Sequence, residues 1–222
     1  MTSRSFVSPA TRDRVRGLAL PIALALGRLG LTPNGLTVLG FVGTCLAAVA
    51  AGYQLWVPAG VLVIVFGIFD LFDGALARAT GKASKFGAFL DSTLDRTGEN
   101  LVLAGVAVGC AQAGFTVGVL LAVLAMAFAS VVTYARAKAE VVGLHGEVGV
   151  APRPERLVIL AVGLVIGGLG EVGQRWDGFD IKLLPGSIPL AIALALIAGL
   201  SGITVIQRIL HVKRQLEQQE NQ

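Results

Sequence analysis

Four aspartates stand at helical spacings within one short stretch of this 222-residue chain. Asp70 and Asp73 lie three positions apart, and Asp91 and Asp95 lie four apart, so each pair occupies one face of a helix. The segment 80–84 between the pairs is short, which predicts that the two helices are antiparallel neighbours. All four carboxylates should then converge at one end of this helix pair.

Carboxylates gathered this closely repel one another unless a cation neutralises them. Oxygen ligands favour hard divalent cations, so the cluster predicts a site for Mg²⁺ or Mn²⁺, holding one ion or two. Gly74, Ala77 and Gly87 lie among the acids, where a small side chain admits a ligand or a neighbouring backbone. Arg78 follows on the same helix and can pair with a phosphate.

Two other interpretations of the acidic cluster have to be weighed. A helical hairpin often contains a buried Asp–Arg pair with a purely structural role, which explains one contact but not four aspartates among glycines. Transporters also hold carboxylates within the membrane, so a cation pathway is the alternative from a different class of function. A transporter would leave Gly74, Ala77 and Arg78 at these spacings unexplained.

The composition places these residues in a membrane. Hydrophobic residues make up 55% of the chain and charged residues 14%, where soluble domains carry roughly a quarter charged residues. A domain of this size cannot hide so much apolar surface within a water-soluble fold. We therefore predict an all-α integral membrane protein with six transmembrane helices, because six apolar segments are long enough to span: 33–52, 56–78, 85–109, 114–138, 156–174 and 186–209.

The basic residues predict how the chain is oriented. Of the 18 lysines and arginines, all but Arg175 and Lys182 flank the predicted spans on one side. The positive-inside rule places that side, with both termini and the acidic cluster, in the cytoplasm. This requires an even number of spans, and six satisfies it. We expect a multi-pass protein of the cell membrane that contacts membrane lipids and has no nucleic-acid partner.

Three segments can be distinguished along the chain. Residues 1–30 predict an amphipathic helix lying on the cytoplasmic leaflet, although a basic stretch before a short apolar run also resembles a cleaved signal peptide. Residues 31–214 form the six-helix membrane domain, which begins with Thr32 as helix cap and Pro33 as first helical residue. Residues 215–222 are a polar tail.

The acidic window carries a recognisable signature. With its spacing it reads Asp70-x2-Asp73-Gly74-x2-Ala77-Arg78-x8-Gly87-x3-Asp91-x3-Asp95. In its defining positions this resembles the CDP-alcohol phosphotransferase family without departure. The resemblance implies that a CDP-linked lipid, usually CDP-diacylglycerol, binds by its pyrophosphate at a two-metal site. An alcohol hydroxyl then attacks the lipid-side phosphorus, and CMP leaves.

The same resemblance implies roles for individual residues. Asp70, Asp73 and Asp91 would be metal ligands, and Asp95 would lie at or beside the second metal and act as general base toward the acceptor hydroxyl. Glu99, one turn beyond Asp95, would either support the site or pair within the core. The resemblance also implies a homodimer. The CDP-lipid pocket would be lined by Asn34, Thr37, Asp73, Gly74, Ala77, Arg78 and Gly87.

Features outside the signature bear on the acceptor alcohol. The segments 134–140 and 153–157 resemble the phosphatidylinositol phosphate synthases of actinobacteria, which implies a pocket for inositol phosphate formed by Arg136, Arg156 and Arg208. This chain has Arg136-x-Lys138 where those relatives tend to have Lys-x-Arg. Taken singly, each of these cations also fits the positive-inside rule. Glycerol 3-phosphate, which carries a phosphate too, is the alternative acceptor and would make the enzyme a phosphatidylglycerophosphate synthase.

Overall fold

The computed structural model describes residues 9–146, 148–150, 152–175 and 187–220, and these residues form helices and connecting turns with no strand. Arg4 and Lys182, which belong to the charge pattern above, lie outside the described residues, as do positions 1–8 of the predicted amphipathic helix. The helices are α1 (Pro9–Arg28), α2 (Pro33–Gly52), α3 (Trp56–Gly67), α4 (Phe69–Ala79), α5 (Lys85–Gln112), α6 (Thr116–Val141), α7 (Arg153–Arg175) and α8 (Ser187–Glu220).

Four helical stretches of the described chain are long and apolar enough to cross a membrane: Pro33–Gly52, Trp56–Ala79, Thr116–Val141 and Ser187–Gln219. Large apolar side chains along them, such as Val42, Leu46 and Val49 of α2, are exposed. This arrangement suits contact with lipid rather than water. The chain is therefore an all-helical, multi-pass membrane protein. Helices α5 and α7 follow the predicted segments 85–109 and 156–174, and their status as spans stays a prediction.

Side-chain caps fix where α2 and α5 begin. Thr32 Oγ1 accepts a hydrogen bond from Gly35 N at 3.1 Å, and Pro33 is the first residue of α2, so the predicted helix start is confirmed. Ser84 Oγ accepts from Gly87 N at 2.9 Å and caps α5 in the same way. Between α4 and α5, Gly81 turns the chain in the left-handed region at φ +64°.

The second predicted span is interrupted. Helix α3 ends at Gly67 and α4 starts at Phe69, with Ile68 between them at φ −74° and ψ −24°. Gly67 weakens the helix locally, since glycine is about 1 kcal/mol less favourable than alanine in a helix interior. Helix α4, which begins after this interruption, carries the first two aspartates.

Six helices close into a ring in which each contacts the next: α2, α5, α6, α8, α7 and α3, which returns to α2. Its core is one contiguous cluster that includes Leu103, Leu160 and Leu194. Small residues bring the helix backbones together. A Cβ on Gly105 of α5 would overlap the backbone of Ala48 on α2, so no larger residue fits there. We refer to this arrangement as the helix ring.

Helix α1 and the C-terminal end of α8 each contact another part of the described chain. Helix α1 packs against α4, where Ala23 joins Leu36, Ala75 and Leu76 in a small apolar cluster. Its predicted position at the membrane surface stays a prediction. Helix α8 continues through Glu220, so the predicted polar tail is helical up to that residue. Gln215 Nε2 donates to the carbonyl of His145 at 2.8 Å, which ties α8 to the α6–α7 connection.

The close approach of α2 and α5 yields a test of this packing. Gly105→Ala should lower the unfolding temperature by several degrees, because overpacking a helix interface costs about 1–3 kcal/mol. Gly199→Ala on α8 is the matched control, since no described atom lies within 4 Å of a Cβ there. Thermal unfolding in detergent measures both variants. Equal unfolding temperatures would contradict the tight α2–α5 contact.

Candidate functional site

Helices α4 and α5, which both pack against α2, bring three of the four aspartates together. One carboxylate oxygen each from Asp70, Asp91 and Asp95 lies within 4.8 Å of the other two, and all three residues are half-buried. Asp70 sits in the first turn of α4, and the other two lie one turn apart on α5. Helices α4 and α5 do not pack closely against each other, so the prediction that they are antiparallel neighbours is not confirmed. Helix α2 contacts both of them and thereby holds the acids together.

Asp73 does not belong to this group of three, although its charge interacts with those of Asp70 and Asp91. It is 5% exposed, and its Oδ2 accepts a hydrogen bond of 2.6 Å from Thr37 Oγ1 on α2. Thr37 was predicted to line the nucleotide pocket, and the structure shows that it also orients this carboxylate. The role of Asp73 as a metal ligand stays a prediction.

The oxygen atoms present fit a hard divalent cation. Among the described residues, Asp91 Oδ1 is buried without a hydrogen-bond partner. A buried acceptor left in that condition costs roughly 1–3 kcal/mol, and more when it is charged. A cation among the three carboxylates would satisfy this oxygen and offset their repulsion. Because every donor atom in the group is a carboxylate oxygen, Mg²⁺ and Mn²⁺ are the suitable ions.

An arginine that the sequence analysis did not assign to the site lies between these acids. Arg153 opens α7, and its Nη1 is 2.5 Å from Asp70 Oδ2 and 2.6 Å from Asp95 Oδ2. The side chains of Arg153 and Asp95 are each 16% exposed. A signal was available in the sequence, because Arg153 stands three residues before Arg156 and so shares its helix face.

Arg156, predicted to bind the acceptor phosphate, is engaged by a different acid. Its Nε and Nη2 donate to the two carboxylate oxygens of Glu99 at 2.7 and 2.8 Å. Both residues are almost completely buried, at 2% and 3% exposure. Of the two roles considered for Glu99, the structure shows pairing within the core. A phosphate-binding role for Arg156 stays a prediction.

The other two predicted phosphate-binding arginines also have partners. Arg208 Nε donates to the carbonyl of Val148 at 2.9 Å, and its Nη1 donates to the carbonyl of Val132. Arg136 Nε donates to Glu140 Oε1 at 2.8 Å on the half-exposed surface of α6. The charge of Arg208 also interacts with those of Arg136, Arg156 and Arg96. Several arginines from four helices thus lie within electrostatic range of one another, which favours an anion nearby.

A cavity of about 230 Å³ opens beside the carboxylates, between α2, α4 and the start of α5. It contains every residue that the sequence analysis predicted for the CDP-lipid pocket: Asn34, Thr37, Asp73, Gly74, Ala77, Arg78 and Gly87. Lys82 and Ser84 of the α4–α5 connection also line it, and the sequence analysis did not assign them. The cavity combines cationic side chains with a wall that includes Asp91, so it suits a phosphate-containing ligand held against a metal centre.

Glycines determine how much room this cavity has. A Cβ on Gly87 would lie 3.0 Å from Asn34 Oδ1 and 3.1 Å from Ser84 Oγ. A Cβ on Gly74 would lie 3.2 Å from Arg78 Nη1. Any side chain at either position would push into the polar groups that line the cavity. Residues 74 and 87 are therefore small because the space beside them is needed.

Comparison with known proteins agrees with this geometry. The sequence profile of the CDP-alcohol phosphatidyltransferase family matches residues 30–196. The phosphatidylinositol phosphate synthase of Cutibacterium acnes is 38% identical over 199 residues, which cover 89% of this chain and 93% of that protein.

Solved structures show the same similarity. The phosphatidylinositol phosphate synthase of Mycobacterium tuberculosis with CDP-DAG bound superposes with a TM-score of 0.75 at 31% identity, covering 87% of this chain and 92% of that one. The same enzyme in complex with manganese and citrate also has a TM-score of 0.75, at 32% identity, covering 87% and 88%.

The metal fit can be tested by binding alone. Asp91→Asn should weaken Mn²⁺ binding at least tenfold, because it removes charge from a carboxylate of the group of three whose buried Oδ1 has no hydrogen-bond partner among the described residues. Glu217→Gln is the control, since Glu217 is an exposed carboxylate on α8 paired with Lys213. Electron paramagnetic resonance of free Mn²⁺ measures both affinities. An unchanged affinity in the Asp91 variant would place the cation elsewhere.

Proposed function

The chain belongs to the CDP-alcohol phosphatidyltransferase family, and from this membership we propose that it transfers the phosphatidyl group of CDP-diacylglycerol to inositol phosphate. The products are phosphatidylinositol phosphate and CMP, so the enzyme serves phospholipid biosynthesis. The observation that carries the proposal is the cavity: every predicted CDP-lipid residue lines it, and it adjoins the carboxylates of Asp70, Asp91 and Asp95.

The cavity is assigned to the CDP portion of the lipid. Arg78 and Lys82 supply positive charge for the pyrophosphate, and Arg78 can form a bidentate contact with it. Gly74 and Gly87 keep the walls free of side chains where the nucleotide enters. Asn34 and Thr37 at the start of α2 provide hydrogen-bonding groups on the opposite wall.

The chemical step uses the carboxylate of Asp95. It takes the proton from the acceptor hydroxyl, whose oxygen forms a bond to the lipid-side phosphorus. The bond from that phosphorus to the CMP oxygen breaks, and CMP leaves with the electron pair. Divalent cations, which we propose to be two Mg²⁺ or Mn²⁺ ions held by Asp70, Asp73, Asp91 and Asp95, would neutralise the pyrophosphate charge. The protein thus supplies position and charge rather than a covalent intermediate.

A phosphorylated acceptor is proposed because of the arginines. Arg136, Arg156 and Arg208, to which the structure adds Arg153, lie within electrostatic range of Arg96 or of one another. This positive region suits a phosphate monoester. The names of the relatives favour inositol phosphate over glycerol 3-phosphate, the alternative acceptor. Cation transport would leave both the nucleotide-sized cavity and the family membership unexplained.

The membrane arrangement is part of the proposal. We assign α5 and α7 as two further spans, for a total of six, because each packs in the helix ring between helices that are long and apolar enough to span. An even number of spans puts both termini on one side, and the positive-inside rule makes that side cytoplasmic, with the active site there too. Helix α1 lies along the membrane surface, where α4 meets it. A homodimer is proposed from the family resemblance.

Release of CMP tests this function directly. Purified enzyme with Mg²⁺ and CDP-diacylglycerol should release CMP when inositol phosphate is added and much less with glycerol 3-phosphate, inositol or glycerol. Chromatography quantifies CMP and the lipid product. Faster turnover with glycerol 3-phosphate would favour the alternative acceptor. No CMP with any of the four alcohols would contradict the proposal.

The cavity assignment has its own test. Gly87→Val should raise the KM for CDP-diacylglycerol at least tenfold, because the side chain would displace Asn34 Oδ1 and Ser84 Oγ from the cavity wall. Gly199→Val on α8, where no described atom is close to a Cβ, should leave that KM within about twofold of the wild-type value. A variant with unchanged KM at position 87 would show that the CDP portion binds elsewhere. Inositol phosphate KM, measured in the same assay, checks that the effect is confined to the lipid substrate.

A further inference from the structure

One guanidinium is shared by carboxylates from two helices. Arg153 Nη1 contacts Asp70 Oδ2 of α4 and Asp95 Oδ2 of α5, while Arg153 itself belongs to α7. We propose that Arg153 couples cation binding to acceptor binding: the divalent cation displaces Arg153 from these carboxylates, and the guanidinium then pairs with the phosphate of the acceptor. The inference rests on the proposed function, whose acceptor carries that phosphate.

The first step is competition for the same carboxylates. Asp70 and Asp95 both belong to the group of three carboxylates that fits a divalent cation. Such a cation binds oxygens at about 2.0–2.1 Å and repels a neighbouring guanidinium. Arg153 Nη1 stands 2.5 and 2.6 Å from one oxygen of each of these acids. The cation therefore competes with Arg153 for these two carboxylates.

The second step concerns where the displaced guanidinium can go. Glu99 is already held by both nitrogens of Arg156 that face it, at 2.7 and 2.8 Å. Glu155 is two positions from Arg153 on the same helix, and residues so spaced do not face each other. The remaining charges in range include Arg96, which is also positive. Among the described residues, the Nε of Arg153 is buried and has no hydrogen-bond partner. Besides Glu99 and the two acids of the first step, the other carboxylate of the described residues in range of Arg153 is Asp91, which belongs to the same group of three. A released Arg153 therefore needs a new anionic partner.

The acceptor phosphate supplies that anion. A phosphate monoester carries the charge and oxygens that a guanidinium binds bidentately. The pyrophosphate of the lipid is the other source of phosphate, but Arg153 does not line the cavity assigned to the CDP portion, which has Arg78 and Lys82. Because coupling is reciprocal, the acceptor should tighten cation binding by the same factor as the cation tightens acceptor binding.

The test is a titration of the full-length protein with Mn²⁺, with and without inositol phosphate, followed by electron paramagnetic resonance. In the wild type, inositol phosphate should tighten Mn²⁺ binding at least fivefold, the lower end of typical coupling. Arg153→Gln should bind Mn²⁺ several-fold more tightly in the absence of inositol phosphate, and the coupling should fall to about one. Titrations of Mn²⁺ with inositol phosphate alone correct for direct chelation.

Two further variants make the result specific. Lys213→Gln removes one positive charge from the exposed surface of α8 and should change neither the affinity nor the coupling. Arg153→Lys keeps the charge but lacks the planar set of N–H donors with which a guanidinium binds a phosphate bidentately. Its coupling between Mn²⁺ and inositol phosphate should therefore be reduced. The lysine variant decides the question if the glutamine variant does not fold.

Three results would overturn the inference. One is an Arg153 variant whose Mn²⁺ affinity equals or falls below that of the wild type. Another is a coupling to inositol phosphate that survives the substitution. The third is coupling through Arg153 to CDP instead of inositol phosphate, which would assign the guanidinium to the pyrophosphate. Because Mn²⁺ binding needs no turnover, a protein that releases no CMP would refute the proposed function while leaving this coupling measurable.

Discussion

The carboxylates of Asp70, Asp91 and Asp95 repel one another, and the site has to offset that repulsion. Their oxygens lie within 4.8 Å of one another at the end of a helix ring that faces lipid. In such a setting positive charge has to be close, because water does not screen the carboxylates fully. A divalent cation can supply it, and so does Arg153. The polar contacts of the site are arranged around this requirement.

Two arginines of α7, Arg153 and Arg156, supply positive charge near these acids and differ in how deeply they are buried. Arg156 and Glu99 form a buried, bidentate pair that compensates itself, and removing either partner would leave a buried charge, which costs about 3–5 kcal/mol. Arg153, one turn earlier, is partly exposed and faces the acids that fit a metal. The deeper arginine therefore keeps Glu99 as its partner next to the proposed acceptor pocket, whereas the shallower arginine can exchange one anionic partner for another.

Much of this architecture could be predicted from residue spacing, and the failures have physical causes. The lengths of the apolar segments predicted the membrane helices, and Thr32 with Pro33 predicted the start of α2. The interruption at Ile68 was missed because a single glycine, Gly67, does not decide whether a helix of spanning length is broken. The i, i+3 spacing put Arg153 and Arg156 on one face, but which acid each one meets depends on the rotation of α7 against α5. That rotation is set by tertiary packing, which cannot be predicted from the residue spacing within one helix.

The central claim is that carboxylates from α4 and α5 converge to bind divalent cations where the CDP cavity ends. Anomalous diffraction from crystals grown with Mn²⁺ and a CDP-lipid tests it most directly. The account predicts an anomalous peak within about 2.3 Å of oxygens from Asp70, Asp91 and Asp95, with the pyrophosphate beside Arg78 and Lys82. An anomalous peak remote from these three carboxylates, or none at saturating Mn²⁺, would contradict it.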